Sequence, residues 1–192
     1  MKAEEIEYKG FIIEVHTEAD PLNPRAEYDN VGHMVCWHPD YLLGDEQVSR
    51  TEHEEAQERV KEIEKSGGIV LPLFLYDHSG ITMNTTGFSC PWDSGQVGVI
   101  LCTKEQIDDE WSGDAEAARL YLIGEVEVYD HYLTGNVYGY VITDPQNEED
   151  HIDSCWGYYG DPEEYMIPQC KESIDHELRE RVPLFTSVGV DA

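Results

Sequence analysis

Basic residues are scarce in this sequence. Its 192 residues include twelve Lys and Arg against forty-one Asp and Glu, which gives a formal net charge of −29 at pH 7. Nucleic-acid phosphates and anionic lipids recruit Lys and Arg, so this charge argues against direct binding to nucleic acid or to a membrane surface. It favours cationic partners instead, because opposite charges steer association.

Long apolar runs and paired cysteines are missing as well. The longest apolar stretch, Ile69–Tyr76, contains Pro72 and is far shorter than the roughly 20 residues of a membrane span. The N-terminus has no apolar signal core, so we expect a cytoplasmic protein. The five cysteines form no Cys-x-x-Cys pair, which predicts reduced thiols rather than a disulfide framework. We expect no cofactor.

The composition is nevertheless that of a folded chain, with 40% hydrophobic residues, twelve Tyr and four Trp. Its length suits a single domain spanning residues 1–192. Charge is unevenly distributed, because residues 66–103 contain two acids and no Lys or Arg. We interpret this low-acid segment as the core, between acidic flanks at residues 1–64 and 104–170.

Strand patterns occur in pairs, and helix patterns fall between the pairs. The strands are predicted around the Lys9-Gly10 turn and at 31–37, 69–76, 81–85, 96–103, 137–143 and 152–158. The helices are predicted at 51–65, 104–111, from 115 to about 132, and from Pro162 to about 181 with a break at Pro168. Thr51 and Glu54 form a capping-box pattern at the first helix. This order predicts an α+β fold, with an antiparallel or mixed β-sheet and helices packed mainly on one side.

Two turns between apolar strands carry residues that could support catalysis. Cys90 could act as a thiol nucleophile with His78 as its base, and Asp77 or Asp93 could orient the base. This arrangement would suit a small hydrolase. Asp, Ser and Gly are also what tight turns require, so a structural role is the competing interpretation.

A second group of possible ligands lies nearer the N-terminus. His33, Cys36 and His38 have the residue types of a zinc site, but a site needs three or four converging ligands. The usual paired spacings are absent. We therefore expect no metal, with these three residues as the only weak candidates.

Acidic residues recur at helical spacing, where residues three or four apart lie about 5–6 Å from each other. Rigid carboxylates at this spacing could imitate the phosphates of DNA, which carry one charge per roughly 1.7 Å of duplex axis. The candidate partner-binding residues are Glu54, Glu58, Glu62, Asp108, Asp109, Glu125, Glu127 and Asp130.

Three stretches carry a resemblance to a known group of proteins. They are LYDHSGITMNTTGFSCPWDSGQVGVI (Leu75–Ile100), EVEVYDHYLTGNVYGYVI and DSCWGYYGD. Together they resemble a family of uncharacterised proteins of bacteriophages and mobile elements, over most of the chain beyond about residue 30; SCPWDSGQVG is the most specific part. The resemblance implies a bacterial host cytosol and carries no catalytic residues with it.

Charge and resemblance together favour a binding protein over an enzyme. We expect an anti-CRISPR or antirestriction inhibitor that acts as a DNA mimic. Its acidic surface would occupy the basic nucleic-acid-binding cleft of a partner such as a Cas effector or a restriction enzyme. The alternatives are the small hydrolase built on Asp77-His78 and Cys90–Asp93, and an acidic phage protein with a structural or regulatory role whose charge serves solubility.

Overall fold

The computed structural model describes residues 2–49, 51–146 and 151–181, and it confirms the α+β class. The elements in chain order are β1 (Lys2–Tyr8), β2 (Phe11–Thr17), α1 (Pro24–Glu27), β3 (His33–Cys36), β4 (Glu46–Gln47), α2 (His53–Lys65), β5 (Ile69–Asp77), β6 (Ile81–Asn84), β7 (Ser94–Cys102), α3 (Lys104–Trp111), α4 (Ala115–Thr134), β8 (Val137–Thr143), β9 (His151–Tyr159) and α5 (Met166–Arg181). The predicted domain 1–192 contains two compact units. The central unit is Pro21–Asn136, and the terminal unit combines the two ends of the chain.

The central unit is built on a five-stranded sheet of order β4-β3-β7-β5-β6. It is a mixed sheet, because β3 pairs with β4 in parallel and with β7 in antiparallel orientation. Strand β5 alternates between buried and partly buried positions, as a strand covered on both faces does. Pro72 lies where β6 does not pair with β5, so its missing N–H leaves no gap in that ladder.

Helices lie against both faces of this sheet. On one face, Ile107 of α3 and Leu122 and Val126 of α4 pack with Leu73 and Ile100 of the strands. On the other face, α2 contributes Ala56, Val60 and Ile63, which pack against Val99 and Leu101. The two faces therefore carry different helices, and this separation decides which acidic residues can share a surface.

The terminal unit is a four-stranded antiparallel sheet of order β1-β2-β8-β9, with α5 on one face. The predicted hairpin at Lys9-Gly10 joins β1 to β2, and both turn residues have the positive φ that such a turn requires. Strand β2 then pairs with β8, although residues 18–136 separate the two strands in sequence. Ile13, Tyr140 and Ile174 are fully buried in its core.

Two predicted helix starts are wrong. Helix α2 begins at His53, and its N-cap, Glu52, makes no side-chain capping bond, so the Thr51 and Glu54 capping box does not form. Ser49 instead donates its hydroxyl to the Glu52 carboxylate. Helix α5 begins at Met166 rather than Pro162. Pro168 does not break it, because Pro168 lies in its first turn, where backbone N–H groups need no helical partner.

Candidate functional site

Helix α2 carries the first group of predicted partner-binding acids. Glu54, Glu58 and Glu62 follow one another at intervals of one turn, and all three are exposed. Glu55 adds a fourth exposed carboxylate in the first turn. Within the described part of the chain, no Lys, Arg or His forms an ion pair with Glu54, Glu58 or Glu62. These carboxylates are therefore free to face a partner.

The acids of α3 and α4 lie on the opposite side of the sheet from α2. Asp109 is exposed, whereas Asp108 pairs with Lys104 one turn earlier on α3. Glu127 of α4 is exposed as well. Because α2 covers one face of the sheet and α3 and α4 the other, the predicted acids form two groups rather than one continuous surface.

Glu125 points into the protein. Its side chain is 7% exposed, and one carboxylate oxygen accepts a hydrogen bond from Nη1 of Arg25 at 2.7 Å. Its other oxygen accepts from the backbone N–H groups of Val31 at 2.8 Å and Gly32 at 3.1 Å. A carboxylate with these internal partners fixes the loop before β3 and is not available to another protein.

Arg25 joins Glu125 to a second acid, Asp45. The Arg25 side chain is 2% exposed, and its guanidinium donates to both carboxylate oxygens of Asp45 and to the carbonyl oxygen of Gly32. Burial opposes the charge of Arg25, but the hydrogen bonds that it donates to Asp45 and Glu125 outweigh this effect and hold the pKa of Arg25 above its ordinary value. This cluster ties α1 and α4 to the start of β4.

Asp130 also has a structural role. One of its carboxylate oxygens accepts from the hydroxyl of Thr82 and from the backbone N–H of Met83, both at 2.7 Å. These two bonds, one from a side chain and one from the backbone of β6, hold β6 against α4. Of the eight predicted residues, Glu125 and Asp130 are therefore engaged inside the central unit.

A cavity of about 690 Å³ opens beside the N-terminus of α2. Its lining is mainly aromatic and apolar, with a few polar side chains, and consists of Trp37, His38, Pro39, Asp40, Tyr41, Leu42, Gln47, Val48, Ser49 and His53. Its volume falls within the range of about 300–1,000 Å³ that is typical of ligand sites. We refer to it as the aromatic cavity. Sequence reasoning missed it, although the loop between β3 and β4 contains Trp37, Tyr41 and Leu42.

A smaller cavity of about 220 Å³ adjoins the aromatic cavity, since Gln47 and Val48 line both. Its walls include Glu46, Glu52 and Glu55. Hydrogen bonds lower the pKa of two of these carboxyls, from Arg59 to Glu46 and from Ser49 to Glu52, so both stay ionised at neutral pH. We call this cavity the acidic groove. The two cavities and the exposed carboxylates of α2 make up the candidate functional site.

The turns that carry the predicted thiol chemistry do come together, but in an unexpected order. One oxygen of Asp93 lies 3.5 Å from Sγ of Cys90 and 3.6 Å from Nδ1 of His78. The carboxylate thus stands between thiol and imidazole, whereas a thiol nucleophile needs the imidazole beside it. Asp77 is engaged elsewhere and accepts from the Tyr41 hydroxyl at 2.9 Å.

Hydrogen bonds within these turns explain why the polar residues are there, without any catalytic role. The N–H of Asp77 donates to the carbonyl of Asp93 at 2.8 Å, and the N–H of His78 donates to the carbonyl of Gly80 at 3.0 Å. Ser94 closes the second turn by donating its hydroxyl to the carbonyl oxygen of Cys90. The geometry fits the structural interpretation of these residues better than the catalytic one.

The three weak candidates for metal ligands, His33, Cys36 and His38, lie in different environments and do not converge on one point. His33 lies against Asp45 and Glu46, and Cys36 is fully buried, where desolvation raises the pKa of its thiol to about 12. Nδ1 of His38 accepts from the backbone N–H groups of Asp40 and Tyr41. In the described part of the chain, no three His, Cys, Asp or Glu residues are grouped so that they could hold a metal ion.

Comparison with protein-family models, with curated proteins and with solved structures found no match to the chain. Across residues 2–49, 51–146 and 151–181, every helix is too short or too polar to cross a membrane. Inferences about function therefore depend on the geometry and charge of the site.

Proposed function

We propose that this chain is a binding protein that uses the acidic side of its central unit to dock on a cationic protein surface. The observation that carries the proposal is the run of exposed carboxylates on α2, Glu54, Glu58 and Glu62. Glu55, Ala56 and Arg59 of the same helix line the acidic groove. A partner that places Lys or Arg against this side would relieve repulsion among carboxylates that form no ion pair within the described part of the chain.

The binding face in this proposal is smaller than the eight residues that sequence spacing suggests. Glu125 and Asp130 are excluded because their carboxylates accept hydrogen bonds within the unit. Asp108, Asp109 and Glu127 lie on the side of the sheet opposite α2, so a single partner surface would not contact both groups at once. We therefore assign docking to α2 and the acidic groove.

The partner that best fits this face is a basic nucleic-acid-binding protein. A cleft that binds nucleic acid presents rows of Lys and Arg, and fixed carboxylates can take the place of its phosphates. The helix fixes the backbone of these residues before binding, so only their side chains lose conformational freedom. The phage and mobile-element resemblance extends the proposal to inhibition of a bacterial defence effector, such as a Cas effector or a restriction enzyme, by exclusion of its DNA.

The proposal is tested by competition with DNA for purified effectors of these two kinds. The test variant is Glu54→Gln/Glu58→Gln/Glu62→Gln, in which glutamine preserves shape and helix propensity while three charges are removed. Exposed charge pairs contribute about 0.2–1 kcal/mol each, so we expect roughly a tenfold loss of competition. The dependence of binding on salt should also become less steep, because fewer ion contacts form.

A matched control removes three exposed charges from the other side of the sheet. Asp109→Asn/Glu110→Gln/Glu127→Gln changes the net charge by the same amount, so a general effect of charge would weaken both variants equally. We expect the control to compete like the wild type. Equal losses, or no loss in the α2 variant, would contradict docking through α2 and favour acidity that serves solubility alone.

A further inference from the structure

We propose that the aromatic cavity receives an arginine side chain of the protein that binds α2. This inference deepens the proposed function and rests on it, because it takes the occupant from a cationic partner. The cavity lies next to the acidic groove and shares Gln47 and Val48 with it. One partner surface could therefore contact the carboxylates of α2 and extend a side chain into the cavity.

The walls of the cavity supply aromatic rings that a guanidinium can contact. Trp37 and His53 meet at nearly right angles, with ring centroids 4.9 Å apart. His38 and Tyr41 lie 4.8 Å apart with their planes inclined by 32°. The electron-rich faces of Trp and Tyr attract cations, and a planar guanidinium can also stack on them.

Hydrogen bonds hold His38 and Tyr41 in place before any ligand arrives. Gln47 donates to the carbonyl of His38 at 2.7 Å, and the ring of His38 accepts from the backbone N–H groups of Asp40 and Tyr41. The Tyr41 hydroxyl donates to Asp77 at 2.9 Å. Because the walls are already fixed, filling the cavity costs little ordering entropy.

Charge at the cavity selects a cation over an anion or a neutral ligand. Asp40 lines the cavity, and the carboxylate of Asp77 lies against the Tyr41 hydroxyl. That hydrogen bond is also the main reason why the pKa of Tyr41 is raised, so its phenol remains a neutral donor at physiological pH. Among the lining residues that the structure describes, none is Lys or Arg, so the carboxylates would repel a phosphate.

Arginine fits this site better than lysine. Its guanidinium is planar and more weakly hydrated than an ammonium group, so it loses less on leaving water for an aromatic site. Leu42 is 89% exposed at the rim of the cavity, where it could cover the aliphatic part of the incoming side chain. An arginine anchored in a pocket whose surrounding contacts exclude water is a common arrangement of a binding hot spot.

Hexa-arginine and hexalysine peptides test this proposal. They carry equal charge, so the proposed function predicts that both bind and that the α2 variant Glu54→Gln/Glu58→Gln/Glu62→Gln weakens both. The aromatic cavity adds a preference for arginine of about tenfold, which calorimetry would measure. Tyr41→Ala should remove most of this preference and leave hexalysine binding almost unchanged. Tyr41→Phe keeps the ring and should preserve most of the preference.

Two further variants separate binding from folding. Leu42→Ala alters a side chain that is 89% exposed, so it can weaken arginine binding without disturbing the core. Trp92→Ala is the matched control, because Trp92 is 91% exposed and lies outside the cavity. We expect Leu42→Ala to reduce the arginine preference at least twofold and Trp92→Ala to leave it unchanged.

The outcomes distinguish the two proposals. If both peptides bind alike and Tyr41→Ala changes neither, the arginine site is wrong, while loss of binding in the α2 variant would still support the proposed function. If the α2 variant binds both peptides as tightly as the wild type, the proposed function is wrong, whatever Tyr41→Ala does. Binding of free indole in the cavity with no preference for arginine would assign the cavity to a neutral aromatic ligand and overturn this inference.

Discussion

Replacing Arg25 with methionine tests whether Glu125 is a structural residue. Methionine keeps an unbranched apolar side chain but removes the charge and every donor of the guanidinium. In the wild type, those donors bond to Asp45, to Glu125 and to the carbonyl of Gly32. The substitution therefore leaves a carboxylate that is 7% exposed, that of Glu125, without a counter-ion.

The size of the effect follows from this burial. Removing one member of a buried ion pair costs about 3–5 kcal/mol, because the remaining charge stays desolvated. For a unit of this size, that loss lowers the melting temperature by about 10–25 °C. Asp45 keeps part of its solvation, since 16% of its side chain is exposed, and we therefore expect most of the cost to come from Glu125.

Urea denaturation followed by circular dichroism would measure the loss, and a second substitution would locate it. Glu125→Gln in the Arg25→Met background removes the uncompensated charge, so it should recover part of the lost stability, although it destabilises the wild type. Arg59→Met is the control, because Arg59 and Glu46 form an exposed pair worth about 0–1 kcal/mol. A loss in Arg25→Met no larger than in Arg59→Met, or strictly additive effects of Arg25→Met and Glu125→Gln, would refute the reasoning.

Two further predictions concern thiols and acid stability. In the folded protein, a thiol reagent should modify Cys155 and Cys90 rapidly. It should reach Cys36, Cys102 and Cys170 only on unfolding, because these three thiols are buried and burial raises their pKa values. Rapid reaction of all five cysteines in the folded protein would contradict this packing. The hydrogen bond from Arg181 lowers the pKa of Asp144, so its contribution is present above the unfolded pKa of about 3.9 and is lost as pH falls through the folded pKa. Asp144→Asn should therefore melt below the wild type at pH 7, and the two curves should converge in acid; a constant gap across the pH range would exclude this linkage.

The elements that the sequence predicts best have strong local signals. Helix α4 begins after Asp114, whose carboxylate accepts from the backbone N–H groups of Glu116 and Ala117, and ends at Gly135 with a positive φ. Helix α3 begins at the capping box of Thr103 and Gln106. In each case the residues that fix the helix end are adjacent in sequence, so propensity and capping suffice to locate it.

Division of the chain into two units has no comparable local signal. It arises because β2 pairs with β8, and the intervening residues form a sheet of their own. Alternation along β2 shows that it has a buried face, but strand patterns do not identify the partner strand. The N-terminal hairpin could equally have joined the low-acid strands β5 and β7.

The direction of each acidic side chain could not be predicted either. Glu125 and Glu127 are two residues apart on α4, yet one accepts bonds from Arg25 and the other is exposed. Spacing identifies which residues share a helical face, but the partner of Glu125 lies 100 residues away in sequence. The aromatic cavity was missed for a similar reason, since Trp37 and His53 meet only after the loop between them has folded.

The net charge of −29 therefore overstates the surface that a partner can use. Some carboxylates, such as those of Glu125, Asp45 and Asp130, accept hydrogen bonds from donors inside the central unit. Neutralising them should destabilise the fold, and any loss of binding should follow from that destabilisation. Others, such as those of Glu54 and Glu58, have no internal partner in the described part of the chain, and their neutralisation relieves repulsion within the folded protein. Removal of charge should thus have opposite effects on stability in the two groups. A variant that binds less tightly but unfolds no more easily must have lost carboxylates that face the partner.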